Sequence, residues 1–103
     1  MHNNKKNIYR VLYFLSNIKE ASGQDIEKGL RLPQPEVSVA VKELEKEGWI
    51  ESRRENYPGK GRPIHIYKLK YPIQNIKSMI KMRIEDEAQK QILSIFQYLN
   101  GVN

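Results

Sequence analysis

Two prolines one residue apart, Pro33 and Pro35, restrict this chain more than any other feature of its sequence. A residue that precedes proline is pushed toward extended backbone, so Leu32 and Gln34 are both expected outside a helix. A helix arriving from the N-terminal side must therefore stop before Leu32. Proline has no N–H to lose in the first turn of a helix, so Pro35 is placed to open a new helix. A helix, a tight turn and a second helix are the expectation for this part of the chain.

The residues on either side agree with that reading. Ser22 is suited to cap the first of the two helices, with Asp25 and Glu27 in its opening turn where negative charge complements the dipole. Ile26 and Leu30 then fall one turn apart on a common face. Beyond Pro35, Val37, Val41 and Leu44 recur at helical spacing and define a buried face running to about Glu47, and Gly48 is the natural residue to end it. Upstream, Ile8, Val11, Leu12 and Leu15 line one side of a helix from about Asn7 to Asn17. Tyr9, Tyr13 and Phe14 widen that apolar surface beyond what a lone surface helix carries, so part of it is expected against a second element or subunit.

After Gly48 the pattern changes. Trp49 to Arg54 is extended in character, and Ile64, Ile66 and Leu69 fall in a second short stretch of β type. Between them, Asn56-Tyr57-Pro58-Gly59-Lys60-Gly61-Arg62-Pro63 is dense in turn formers, so a β-hairpin is expected. From Pro72 to about Leu99, the residues Ile73, Ile76, Ile80, Ile84, Ala88, Ile92, Phe96 and Leu99 recur at three- and four-residue steps. A helix of about 28 residues would be about 42 Å long, more than so small a body can cover. A second copy of the same helix is the simplest cover, which makes these eight residues the expected dimerisation stripe.

The fold class expected is mainly α with a small β-hairpin (α+β): residues 1–71 as a winged helix-turn-helix and residues 72–103 as a long C-terminal dimerisation helix. In that arrangement the third helix enters the major groove of DNA and the hairpin, or wing, meets the backbone or the minor groove. Charge points the same way. Eighteen Lys and Arg oppose twelve acids, a net charge of +6, and a basic chain gains affinity for a polyanion by releasing condensed counterions. The hairpin concentrates that charge, with Arg53, Arg54, Lys60, Arg62, Lys68 and Lys70 against only Glu51 and Glu55.

With Val37, Val41 and Leu44 turned inward, the opposite side of the third helix presents Gln34, Pro35, Ser38, Val39 and Lys42. Gln34 has the paired donor and acceptor that adenine N6 and N7 require, Ser38 reaches a base edge or a phosphate, and Val39 suits a thymine methyl. Lys42 is expected on phosphate, as are Arg53, Arg54, Lys60 and Arg62 of the hairpin, with Lys60 or Arg62 also able to enter the minor groove. The plain alternative is a solvated helix face and a solvated loop. Glu36 would repel phosphate and is read instead as stabilising the first turn of its helix.

The stretch Leu32-Pro-Gln-Pro-Glu-Val-Ser-Val-Ala-Val-Lys-Glu-Leu-Glu-Lys-Glu-Gly-Trp-Ile50 resembles the recognition-helix signature of ArsR/MarR-type prokaryotic winged-helix regulators. Gly59-Lys-Gly-Arg-Pro-Ile-His-Ile-Tyr-Lys-Leu69 resembles the wing of the same families, archaeal members in particular. The resemblance covers roughly residues 7 to 70 and implies a sequence-specific DNA-binding transcriptional regulator, a repressor by preference, acting as a homodimer. It does not carry metal sensing with it, because ArsR-type sensors rely on cysteine clusters and this chain has no cysteine.

The absence of cysteine also excludes disulfides and thiol nucleophiles and fits a reducing compartment. No apolar run approaches the ~20 residues that span a bilayer, and the polar N-terminus lacks a signal-peptide core, so a cytoplasmic, nucleoid-associated protein is expected. His65 is read as structural or phosphate-contacting, and Glu85, Asp86 and Glu87 as a solvated helix flank. No nucleotide-binding loop or nucleophile–base arrangement stands out, so neither an enzyme nor a cofactor or metal is expected, and any small-molecule effector is left open. Two rivals keep the fold but change the role: a winged helix used for protein–protein contact, and an architectural DNA binder without sequence preference.

Overall fold

The computed structural model describes residues 5–59 and 61–101. The element order is α1 (Lys5–Ser16), β1 (Ala21–Ser22), α2 (Gly23–Leu30), α3 (Gln34–Glu47), β2 (Ile50–Glu55), β3 (Ile64–Leu69) and α4 (Ile73–Leu99). Among the described residues, four helices and a small antiparallel sheet in this order make an α+β winged helix-turn-helix with a long C-terminal helix. The chain divides into two compact units, Met1–Pro72 and Ile73–Asn103.

In the first unit, α1 packs on both α2 and α3. Val11, Leu12 and Leu15 of α1, Ile26 of α2, and Val37, Ala40, Val41 and Leu44 of α3 are all buried, joined by Leu32, Trp49 and Ile50. Where α2 crosses α1, a Cβ at Gly29 would overlap the ring of Phe14, so the closeness of that crossing depends on the missing side chain.

Ser22 caps α2 as its sequence predicts. Its hydroxyl accepts from the Asp25 N–H at 3.0 Å, and the Asp25 carboxylate accepts from the Ser22 N–H at 3.0 Å, a reciprocal arrangement that satisfies two orphan donors at once. At the other end Arg31 adopts the left-handed conformation (φ 55°, ψ 48°) and its N–H returns to the Glu27 carbonyl. The turn then differs from expectation at one residue. Gln34 is helical although a proline follows it, because α3 starts on the Pro33 carbonyl, which accepts from Glu36 N–H at 3.0 Å and Val37 N–H at 3.2 Å. The preference of a residue before proline is a bias, and the packing of Val37 overrides it. Gly48 ends α3 at φ 82°, a conformation that costs glycine nothing.

The sheet has the order β1-β3-β2, antiparallel throughout. In the hairpin, Ile50 pairs with Leu69, Arg53 with Ile66 and Arg54 with His65. The two-residue β1 pairs Ala21 with Tyr67 and Ser22 with Ile66, so the hairpin is stitched on its β3 side to the segment that opens α2.

The second unit is the 27-residue helix α4, about 40 Å at 1.5 Å per residue. Ile76 is buried. Ile73 and Ile80 are half-buried, while Ile84, Ala88, Ile92, Phe96 and Leu99 are exposed. No helix among the described residues is long and apolar enough to cross a membrane.

Candidate nucleic-acid interface

The outer side of α3 is set by its inner one. With Val37, Ala40, Val41 and Leu44 buried, the 100° step of the helix turns Pro35, Val39 and Lys42 outward, with Gln34 and Ser38 on the flank. Gln34, Pro35, Val39 and Lys42 are exposed and Ser38 is half-buried. Val39 is a large apolar side chain held 44% exposed on this polar face, a position with no role in the core. Lys46 lies on the same side, one turn beyond Lys42, and is also exposed. It was legible as the residue four beyond Lys42 but was not among the expected contacts.

Two polar networks hold this helix from behind. The Arg10 guanidinium donates from Nη2 to the Leu30 carbonyl at 2.8 Å, closing the end of α2, and the Asn7 amide donates from Nδ2 to Glu36 Oε1 at 2.8 Å. Glu36 is therefore occupied by α1 as well as being the acid in the first turn of α3. At the far end, the Ser52 hydroxyl donates to Glu45 Oε2 at 2.7 Å, tying β2 to α3.

Strand alternation sorts the hairpin into two faces. Ser52, Arg54, His65 and Tyr67 share the face toward the helices: Tyr67 passes close to Gly23, and burial, then the neighbouring Glu45 carboxylate, push its phenol up from the usual value. The His65 and Tyr67 rings stack with centroids 6.3 Å apart. Arg53, Glu51, Ile66 and Lys68 share the other face. There Arg53 is held by two carboxylates, Glu20 and Glu55, while Lys68 pairs with Glu51 at 3.6 Å.

The sequence-predicted residues thus fall into separate groups. An open groove is lined by Ser22, Gln24, Asp25 and Glu27 of the α2 entry, by Gln34 of α3, and by Tyr57, Arg62 and His65 of the hairpin. Gln34 and Arg62 open onto it together. Pro35, Ser38, Val39 and Lys42 continue along α3, Arg54 lies across the hairpin from His65, and Arg53 is on the opposite face. Lys60 lies outside the described residues, as does His2. Tyr57 and Gln24 entered the groove without a sequence signal, since their placement depends on the β1–β3 pairing. Among the described residues no cluster of His, Asp or Glu is arranged to hold a metal ion.

The sequence pattern of the MarR family matches residues 9–61. Among solved structures, the chain is similar to a possible transcriptional regulator from Methanosarcina mazei, with 21% identity and a TM-score of 0.74 over 90% of this chain and 78% of that one. It is also similar to a PadR family transcription regulator from Clostridium difficile, with 22% identity and a TM-score of 0.56 over 84% and 97% of the two chains. A third likeness is to MepR of S. aureus, solved as a complex with DNA, with 20% identity and a TM-score of 0.52 over 100% and 82%. At these identities the likeness is one of fold. No curated protein is similar enough in sequence to count as a match.

Proposed function

The chain belongs to the MarR family of winged-helix transcriptional regulators, and from that premise we propose that it binds double-stranded DNA as a homodimer through α3 and the hairpin together. The observation that carries the reading is that Gln34, at the start of α3, and Arg62, at the tip of the hairpin, line one groove. A duplex that takes α3 into its major groove brings an adjacent phosphate strand to that groove and the next minor groove to the hairpin. The DNA bound by MepR supports the same use of this fold.

Within that reading each side chain has a distinct task. Gln34 pairs with an adenine edge, Val39 packs on a thymine methyl, and Ser38 and Pro35 lie close to the bases between them. Lys42, Arg54, Lys60 and Arg62 neutralise phosphate, and Arg62 or Lys60 reaches into the minor groove. The half-exposed to exposed apolar run of α4, from Ile80 to Leu99, joins two copies, with part of α1. Twofold symmetry then requires a pseudo-palindromic site whose half-sites lie about one helical turn, or a multiple, apart. The sense is repression by occupancy. We read the protein as a binding protein rather than an enzyme, acting in the cytoplasm at the nucleoid.

The test is selection of bound duplexes from a random pool, read at two salt concentrations. Arg62→Ala is expected to weaken binding to every sequence and to lower the slope of log affinity against log salt by about one counterion. Gln34→Ala is expected to leave the slope unchanged and to erase about 1–3 kcal/mol of discrimination at one adenine position. A chain whose affinity for duplex is independent of salt, with both variants silent, would not be a DNA-binding regulator.

A further inference from the structure

The sheet face turned away from the helices carries a polar chain that the DNA reading leaves unused. The Arg53 guanidinium donates from Nη1 to Glu20 Oε1 at 2.8 Å and from Nη2 to Glu20 Oε2 at 2.9 Å, a two-pronged pair. Its Nε donates to Glu55 Oε2 at 2.8 Å, and the other Glu55 oxygen accepts from the Tyr57 hydroxyl. This chain spans the whole sheet. Arg53 is on β2, opposite Ile66 of the central strand β3, and Ile66 in turn is opposite Ser22 of β1. To meet Glu20, which immediately precedes β1, the side chain must cross over β3.

The position of that bridge matters because β1 is only two residues long. The base of the hairpin is held by the α3–β2 connection and by the packing of β3 on α1 and α2, and the short pairing with β1 reaches no farther along β3 than Ile66. The Arg53 bridge adds a side-chain tie across β3 at that same level, since Arg53 and Ser22 both stand opposite Ile66. Hydrogen bonding to Arg53 holds the Glu20 carboxyl below the usual carboxylate range, so the pair is fully charged at neutral pH.

We propose that Glu20 and Arg53 form a brace that fixes the angle of the hairpin against α2 and α3, making Arg53 a positioning residue for DNA binding rather than a phosphate ligand. The inference rests on the DNA reading above. Hydrogen bonding argues for the distinction: Nε, Nη1 and Nη2 of Arg53 all donate to Glu20 or Glu55, which leaves the guanidinium little to offer a phosphate. Its neighbour Arg54, on the opposite face and across from His65 of the groove, is the arginine left to meet DNA.

Glu20→Gln separates the two roles by sign. Removing an acid from a DNA-binding protein should tighten binding if charge alone matters, whereas loss of the brace should loosen it. For the full-length chain and a fluorescent mixed-sequence duplex, Glu20→Gln and Arg53→Gln are each expected to weaken binding about three- to fivefold. Both should keep the wild-type salt slope, which Arg62→Ala lowers. The charge-swapped double variant E20R/R53E, with unchanged net charge, is expected to recover most of the lost affinity.

Tighter binding by Glu20→Gln, or a salt slope lowered by Arg53→Gln as it is by Arg62→Ala, would overturn the proposal. Amide exchange in the free protein provides an arm independent of DNA. Glu20→Gln should speed exchange at the distal hairpin residues Glu55 and Ile64 and leave the helix α3 amides alone. If the wild-type chain binds no duplex, the DNA reading fails while this arm still decides the brace, and unchanged exchange at Glu55 and Ile64 would refute it.

Discussion

The two units of this chain treat their apolar residues in opposite ways. Among the described residues, thirteen hydrophobic side chains are buried, twelve of them in the first unit and Ile76 in α4. Conversely, α4 holds Met82, Ile84, Ile92, Leu93, Ile95, Phe96, Tyr98 and Leu99 in the open. The first unit uses its apolar spacing to close a core of its own. Near its C-terminal end α4 is apolar on nearly every side, a pattern that belongs to a helix buried by something else. The difference teaches where folding information ends and assembly information begins, and it can be attacked from either side.

The largest effect is expected at the centre of the first unit. Leu44 is fully buried on α3, the helix that packs on α1, α2 and β2, and Leu44→Ala removes three carbons from that core. Such changes cost about 2–5 kcal/mol, enough to consume much of the stability of a small domain. Urea denaturation should show the midpoint collapsing with little dependence on protein concentration. A variant as stable as wild type would mean that the core of residues 5–72 is not what holds the chain together.

The complementary attack is on α4. Phe96 is 62% exposed and Ile92 58%, so in an isolated chain Ile92→Glu and Phe96→Glu would do almost nothing to stability. If two copies cover each other there, each charge is buried without a partner. The dissociation constant for self-association should then rise about thirtyfold or more, following the ~2 kcal/mol that a central interface residue commands. Sedimentation equilibrium reads this directly. DNA affinity should fall with it, because two half-sites can no longer be bound by one linked pair. An unchanged association state would leave α4 without a function in assembly.

The same contrast explains what was legible in the sequence. Local signals were enough wherever one or two residues dictate the backbone: the Pro33–Pro35 break, the Ser22 cap, the Gly48 stop and the turn-rich hairpin loop all stand where they were expected. The failures are those of long-range partners. Ala21 and Ser22 carry no strand signal, and become β1 only because Tyr67 and Ile66 pass beside them. Arg31 takes a left-handed conformation usually marked by glycine, so nothing announced it. Gln34 joins its helix against the bias that Pro35 imposes.

Arg53 and Arg54 are the sharpest case for the candidate site. As text they are two equal cations in a basic hairpin. Strand alternation alone puts them on opposite faces, but telling which face looks toward α3 needs the pairing register and Glu20, 33 residues away. The recognition face was easier, because it is the complement of a helix's own buried stripe. Lys46 was missed for want of continuing that stripe one more turn.

The smallest effect tests the boundary between the two units' behaviour, and α1 is where it lies. One side of α1 supplies Val11, Leu12 and Leu15 to the core, while Tyr9 and Tyr13, one turn apart, stay exposed, Tyr13 at 71%. Substituting an exposed residue that touches nothing changes stability by no more than about 0.5 kcal/mol, so Tyr13→Ser should leave the urea midpoint of a dilute sample where it was. A ring of this size buried against a second copy would contribute more than that to association. If α1 shares in the dimer, Tyr13→Ser therefore raises the dissociation constant for self-association about three- to tenfold without touching the monomer fold. Stability and association must be measured on the same preparation across a range of concentrations. A shift in association alone extends the assembly surface from α4 onto α1, and a shift in neither confines it to α4.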